Sequence, residues 1–133
     1  QKRLTEAEVL LTKHTDLTGI LAPTTVGVAA AAKAVENRKV FDKVKVTGLG
    51  TPNQMRRFVT DGVIPNFALW SPPDMGVVCA HVGVALAKGE AKAEKDAKIS
   101  CGKLGEKEIT DKNMLIIGPP VIFTKENIEQ YKF

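Results

Sequence analysis

Cysteine is scarce: Cys79 and Cys101 are the only two in 133 residues. Two thiols so far apart supply neither zinc-site spacing nor a disulfide framework, and they leave the redox compartment undefined. Cys79 reads as a small core residue and Cys101 as an incidental strand residue, with a disulfide between them left open. Long apolar runs are lacking as well. No stretch approaches the roughly eighteen apolar residues that a membrane-spanning helix needs. The opening "QKRLTEAEV" is polar and helix-forming, without the charged tip and apolar stretch of a signal peptide, and it reads as the interior of a longer chain.

Charge of one sign is not concentrated anywhere. The 19 Lys and Arg against 15 Asp and Glu give +4, but the two signs alternate, as in Lys92, Glu94, Lys95, Asp96 and Lys98. That is the pattern of a solvated surface, and it argues against a nucleic-acid partner, which needs a one-sided basic stripe. Histidine is limited to His14 and His81. His14 reads as a partner for a helix carboxyl end, and His81 has no second ligand at metal spacing, so no metal site is expected. "GLGTPN" lacks the third glycine of a dinucleotide fingerprint, and no phosphate-binding lysine motif occurs, so no cofactor is expected.

What is present is a βα rhythm. Thr5 and Glu8 have capping-box spacing, with Leu4 and Val9 placed as a staple, so a helix is expected over 5–14. "LTGILA" (17–22) reads as a buried strand, and the alanine-rich stretch 26–36 as a helix. The unit repeats with strand 44–49. Its helix is introduced by Thr51 as cap, Pro52 at the first position and Gln54 closing a capping box, and Gly62 ends it. "NFALW" is the third strand, followed by a helix with Met75, Val78, Val82 and Leu86 along one face. Three βα units predict an α/β fold, a parallel sheet flanked by helices. Beyond Gly89 come a charged connector, a hairpin turning near Leu104 and Gly105, a strand in "MLIIGPPVIF" broken by Pro119 and Pro120, and a short last helix capped by Thr124.

Ligands of such sheets bind beyond the carboxyl ends of the strands. Here those ends carry Pro23, Thr24 and Thr25, then Gly50, Thr51 and Asn53, then Trp70 and Ser71. Hydroxyls, an amide and an indole can hydrogen-bond and stack a neutral polyol, but they provide no acid, base or nucleophile, so no catalytic residue is assigned. The threonines are equally explained as helix caps, and Trp70 as a core side chain.

These stretches resemble one family, the type I periplasmic sugar-binding proteins of ABC transporters, in the branch of the rhamnose and furanosyl quorum-signal receptors. The likeness rests on "ILAPTTVGVAAAAKAVE", "VKVTGLGTPNQMRRFVTDG", "FALWSPPDMG" and "GPPVIFTKENIEQYKF", in that order from Leu17 to Phe133. The resemblance implies two α/β lobes joined by three chain crossings, with a monosaccharide enclosed between them. It implies that this sequence is an incomplete two-lobe architecture. Residues 1–70 would be part of the second lobe, 71–113 a hinge crossing and a segment packing on a first lobe, and 114–133 the return crossing and the end of the second lobe.

The resemblance further implies ligand contacts from Pro23, Thr24 and Thr25, a hinge-side contact from Trp70, and a weaker candidate in Asn53. Its partners are a rhamnose-like sugar and a membrane permease, its location periplasmic or lipid-anchored outside the cytoplasm, and it needs no cofactor. LacI-type regulators share this architecture and are the alternative class, with a flavodoxin-like enzyme third. "PPDMG" and "TKENIEQYKF" favour the receptor branch. An apolar helix meant for another lobe also predicts self-association of the chain.

Overall fold

A computed structural model describes residues 2–133, and the chain divides into two units, 1–69 with 121–133 and 70–120. The first unit begins with α1 (Lys2–Lys13), β1 (Gly19–Ala22), α2 (Thr25–Asn37), β2 (Lys45–Gly48), α3 (Pro52–Thr60) and β3 (Phe67–Leu69). The good helix formers Lys2, Arg3 and Leu4 carry α1 past the expected start, so Thr5 lies inside its first turns. β1 and β2 are parallel from Gly19↔Lys45 to Ala22↔Gly48, and a parallel bridge between Leu49 and Ala68 adds β3. The expected parallel sheet gains one antiparallel strand. β6 (Val121–Phe123) runs antiparallel to β3, pairing Phe67 with Phe123, where the chain re-enters the first unit after passing through residues 70–120.

One face of this sheet is the core. Ala22, Val46, Phe67 and Leu69 point toward Val28, Ala31 and Val35 of α2 and Met55 and Val59 of α3. The rings of Phe67 and Phe123 stack at 4.8 Å, and Tyr131 meets Phe123 edge-on. Gly48 permits the closest approach in the sheet: with φ +152, a Cβ there would lie 2.0 Å from the Ala22 carbonyl oxygen. Thr51 has the extended backbone of a helix cap, but its hydroxyl makes no capping bond. The expected capping box therefore does not form. Pro52 has no N–H to offer, and the Asn53 N–H is already given to the Phe133 oxygen at 3.0 Å. At the chain's end the expected roles are reversed. Asn127 Oδ1 accepts from the Thr124 N–H, and only a 3-10 turn, Ile128–Gln130, follows.

The second unit holds α4 (Pro72–Ala87), β4 (Lys98–Ser100) and β5 (Glu106–Glu108). Ser71 caps α4, accepting from the Asp74 N–H at 3.3 Å. The hairpin pairs Lys98 with Glu108 and Ser100 with Glu106, and its turn contains a 3-10 segment and Gly105 at φ +75. Its core is Val78, Ile99, Cys101 and Ile109, with Val82 and Ala85 packed against it. Of the apolar face expected on α4, only Val78 is buried, whereas Met75 and Leu86 are exposed. The cysteines exchange the expected roles, since Cys101 is buried, Cys79 is exposed and both are free thiols. "MLIIGPPVIF" forms a strand only after Pro120, because Pro119 and Pro120 offer no N–H to a ladder. No helix among the described residues is long and apolar enough to cross a membrane.

Candidate functional site

The carboxyl ends of β1, β2 and β3 lie side by side in the first unit. β1 runs out into Pro23, and Thr24 takes the extended conformation of an N-cap, its Oγ1 accepting from the Gly27 N–H at 3.1 Å. That capping bond requires the glycine, because a Cβ on residue 27 would sit 2.6 Å from the Thr24 oxygen. A threonine hydroxyl has one hydrogen and two lone pairs, so Thr24 caps the helix with a lone pair and keeps its proton to donate. Thr25 is the first residue of α2. The structural and ligand-facing readings of Thr24 are compatible for this reason.

Beside these residues the strands enclose a concavity of about 260 Å³ lined by Leu21, Ala22, Pro23, Thr47, Gly48, Leu49 and Ala68. No lining side chain is charged. Thr47 supplies its one hydroxyl, which donates to Asn66 Oδ1 at 3.1 Å and so presents only lone pairs elsewhere. Leu21 is 75% exposed, a large apolar side chain on the sheet face opposite α2. Pro23 is the only expected site residue in this lining. Leu21, Thr47 and Ala68 escaped sequence reasoning, although the alternation of each strand already puts them on the face away from the core.

Asn53 belongs to the first turn of α3 and is exposed, yet both its backbone and side chain are engaged. Its N–H binds the Phe133 oxygen, and its Oδ1 accepts from Arg56 Nη2 at 3.3 Å. Trp70 is the first residue of the second unit and is 45% exposed, with no aromatic or hydrogen-bonding partner among the described residues. It is therefore not the core side chain that its size suggested. His14 and His81 are exposed, and no group of three His, Cys, Asp or Glu among the described residues is placed to hold a metal ion. The strongest electrostatic perturbation is away from the strand ends. Arg57 and Lys33 together hold the Glu36 carboxyl down at about 2, chiefly through the Arg57 hydrogen bond.

The chain matches the family described as "Periplasmic binding protein domain" over residues 1–91. The chain belongs to the periplasmic binding protein family. Its fold is the type I form. Among solved periplasmic binding proteins, a sugar ABC transporter structure from Actinomyces odontolyticus is 45% identical with a TM-score of 0.87, over 99% of this chain and 42% of that one. A solute-binding protein from Clostridium phytofermentas, solved with bound L-rhamnose, is 30% identical with a TM-score of 0.84, over 97% and 44%. LsrB from Clostridium saccharobutylicum, in complex with AI-2, shares the fold at 23% identity and a TM-score of 0.81, over 98% and 44%. The chain thus spans less than half the length of these binding proteins.

Proposed function

We propose that this chain is part of the solute-binding component of an ABC sugar importer, with a neutral, rhamnose-like monosaccharide as ligand. The observation that carries the reading is the uncharged concavity at the ends of β1, β2 and β3. Such a wall gives a sugar an apolar surface for its C–H face and isolated polar groups for its hydroxyls, whereas an ionic ligand finds no counter-charge there. The L-rhamnose bound by the Clostridium phytofermentas protein agrees with this chemistry. Pro23, Thr24, Thr25, Asn53 and Trp70 make the contacts. Residues 1–70 form part of the second lobe, 71–113 a hinge crossing and a segment that packs on a first lobe, and 114–133 the return crossing and the end of the second lobe. The partner in transport is a membrane permease, the setting is extracytoplasmic, and no chemical step is performed.

Titration with L-rhamnose, followed by NMR, tests this. With one cleft wall the affinity is roughly millimolar, and the Thr24 and Thr25 amides and the Trp70 indole N–H should shift together. A spectrum unchanged by saturating sugar contradicts the proposal. Trp70→Ala should weaken binding by ~1–3 kcal/mol at little cost in stability, because the ring is half exposed. Lost stability at unchanged affinity would give Trp70 back to the fold.

A further inference from the structure

The sheet of the first unit has two outer strands, and the chain finishes only one of them. At β6 the Ala68 carbonyl of the neighbouring β3 accepts from the Gly50 N–H at 3.1 Å, so the backbone groups of Ala68 face β2 and those of its partner Ile122 face outward. That outward edge is closed. The Ile122 carbonyl accepts from Asn127 Nδ2 at 2.9 Å, and Pro119 and Pro120, leading into the strand, have no N–H to extend it.

β1 is the other outer strand, paired only with β2. The Thr18 and Ala22 carbonyls accept from the N–H groups of Lys45 and Leu49 at 2.9 and 3.0 Å, so by alternation the backbone groups of Gly19 and Leu21 point to the open side. They have no partner there among the described residues. Natural edges are guarded by charges, prolines or bulges, but no charged residue occurs from Leu17 to Ala32 and the register runs unbroken from Gly19↔Lys45 to Ala22↔Gly48. Leu21, 75% exposed, stands in the middle of this edge. Only Pro23, the next residue in the alternation, limits it, because it has no N–H to give.

We infer that the open edge of β1 seats a further β-strand, hydrogen-bonded to Gly19 and Leu21 and supplied by the part of the full-length protein outside these 133 residues. This rests on the reading of the chain as part of a binding protein, and names what borders its sugar wall, since Leu21 also lines the concavity. The chain spans 42% and 44% of the two sugar-binding relatives at 45% and 30% identity, so more than half of such a protein remains to provide the strand. A second copy is the poorer occupant. Two N–H and two C=O groups are too few to offset the freedom that separate molecules lose, whereas a strand of the same polypeptide is tethered beside them.

Hydrogen exchange, measured on this chain and on the full-length protein, tests the inference. In this chain the Gly19 and Leu21 amides should exchange freely while Ile20 and Ala22, which face β2, are protected; in the full-length protein Gly19 and Leu21 should slow by roughly a hundredfold or more. Leu21→Pro sharpens the comparison. It removes only an outward N–H, so this chain should keep its thermal midpoint, whereas that of the full-length protein should fall by about 4 °C or more. If the variant does not fold, exchange decides alone. Free exchange at Gly19 and Leu21 in the full-length protein overturns the inference, as does a gene that encodes no further chain. Protection already present in this chain and lost on dilution makes a second copy the occupant, and overturns it too. The L-rhamnose titration is independent of these outcomes: slow exchange with no sugar shifts leaves the strand and removes the sugar, and the reverse result removes the strand alone.

Discussion

Two apolar helices meet opposite fates, and the more apolar one is the more exposed. α2 spans 13 residues and buries Val28, Ala31, Ala32, Ala34 and Val35 against the sheet. α4 spans 16, carries no charged residue from Met75 to Ala87, and buries only Val78. A helix apolar on all sides is normally enclosed on all sides. α2 has its sheet within the chain, whereas α4 packs one side on the small core of the second unit and leaves Met75, Val84 and Leu86 exposed. Composition measures how much of a helix is fit to be buried. It does not say by what.

The glycines offer the harshest test of this contrast. Gly48→Ala forces a Cβ into the Ala22 carbonyl at a φ of +152, where the backbone itself is closed to L-residues. It should cost more than about 3 kcal/mol and leave the first unit unfolded or rearranged, as urea denaturation and NMR would show. At Gly83 in α4 an added Cβ would meet nothing within 4 Å. Gly83→Ala should therefore stabilise, by ~0.5–1 kcal/mol, through helix propensity alone. Equal costs for the two changes would mean that α4 is enclosed in solution to the same degree as the sheet.

Smaller, but of the same origin, is the effect on association. In a solution of this chain, the exposed apolar side of α4 has only other copies to meet, so sedimentation should show apparent mass rising with concentration. The double variant Val84→Lys, Leu86→Glu should abolish the rise while changing stability by no more than about 0.5 kcal/mol, since both positions are exposed. Val35→Lys in α2 should instead unfold the first unit, because that side chain is fully buried. A chain that stays monomeric at every concentration sinks the association half of the comparison.

The same contrast explains how much could be read in advance. The βα rhythm was legible because its boundaries are chemical: Thr24, Pro52, Gly62 and Ser71 stop or start helices by local hydrogen bonding and backbone preference. The Pro23 to Thr25 corner followed from strand order alone. β6 escaped as an antiparallel partner because its pairing with β3 joins Phe67 to Phe123, and no local signal spans that separation. The cysteines exchanged roles for the reason α4 is exposed: a thiol on an apolar helix is buried only if something covers its face. Arg56 donates to the carbonyls of Ile128 and Tyr131, 72 and 75 positions away. Nothing in "QMRRFV" distinguishes that arginine from Arg57 beside it, which goes instead to Glu36.

The smallest predicted effect distinguishes the units by acid. In the first unit Glu36 on α2 accepts from Arg57 of α3, Nη2 to Oε2 at 3.1 Å, and from Lys33 at 2.8 Å, and these bonds hold its carboxyl at about 2 instead of the ordinary 4.5. A carboxyl depressed on folding contributes stability in full above its unfolded value and loses it as the pH falls through its folded one, so the window lies between about 4.5 and about 2. Glu126, also lowered, by its hydrogen bond to Thr124, acts in the same direction. In the second unit the corresponding pair, Lys98 and Glu106 at 3.3 Å, is more than half exposed on both sides, where an ion pair adds little. Arg57 is itself half exposed, so screening keeps the Glu36 brace small. Glu36→Gln should therefore lower stability slightly at pH 7, and the gap to the unmodified chain should narrow steadily as the pH drops from 4.5 toward 2. Glu106→Gln should show almost no gap at either end. If the Glu36→Gln gap is the same at pH 7 and at the acid limit, the brace is not electrostatic, and the two units differ in packing alone.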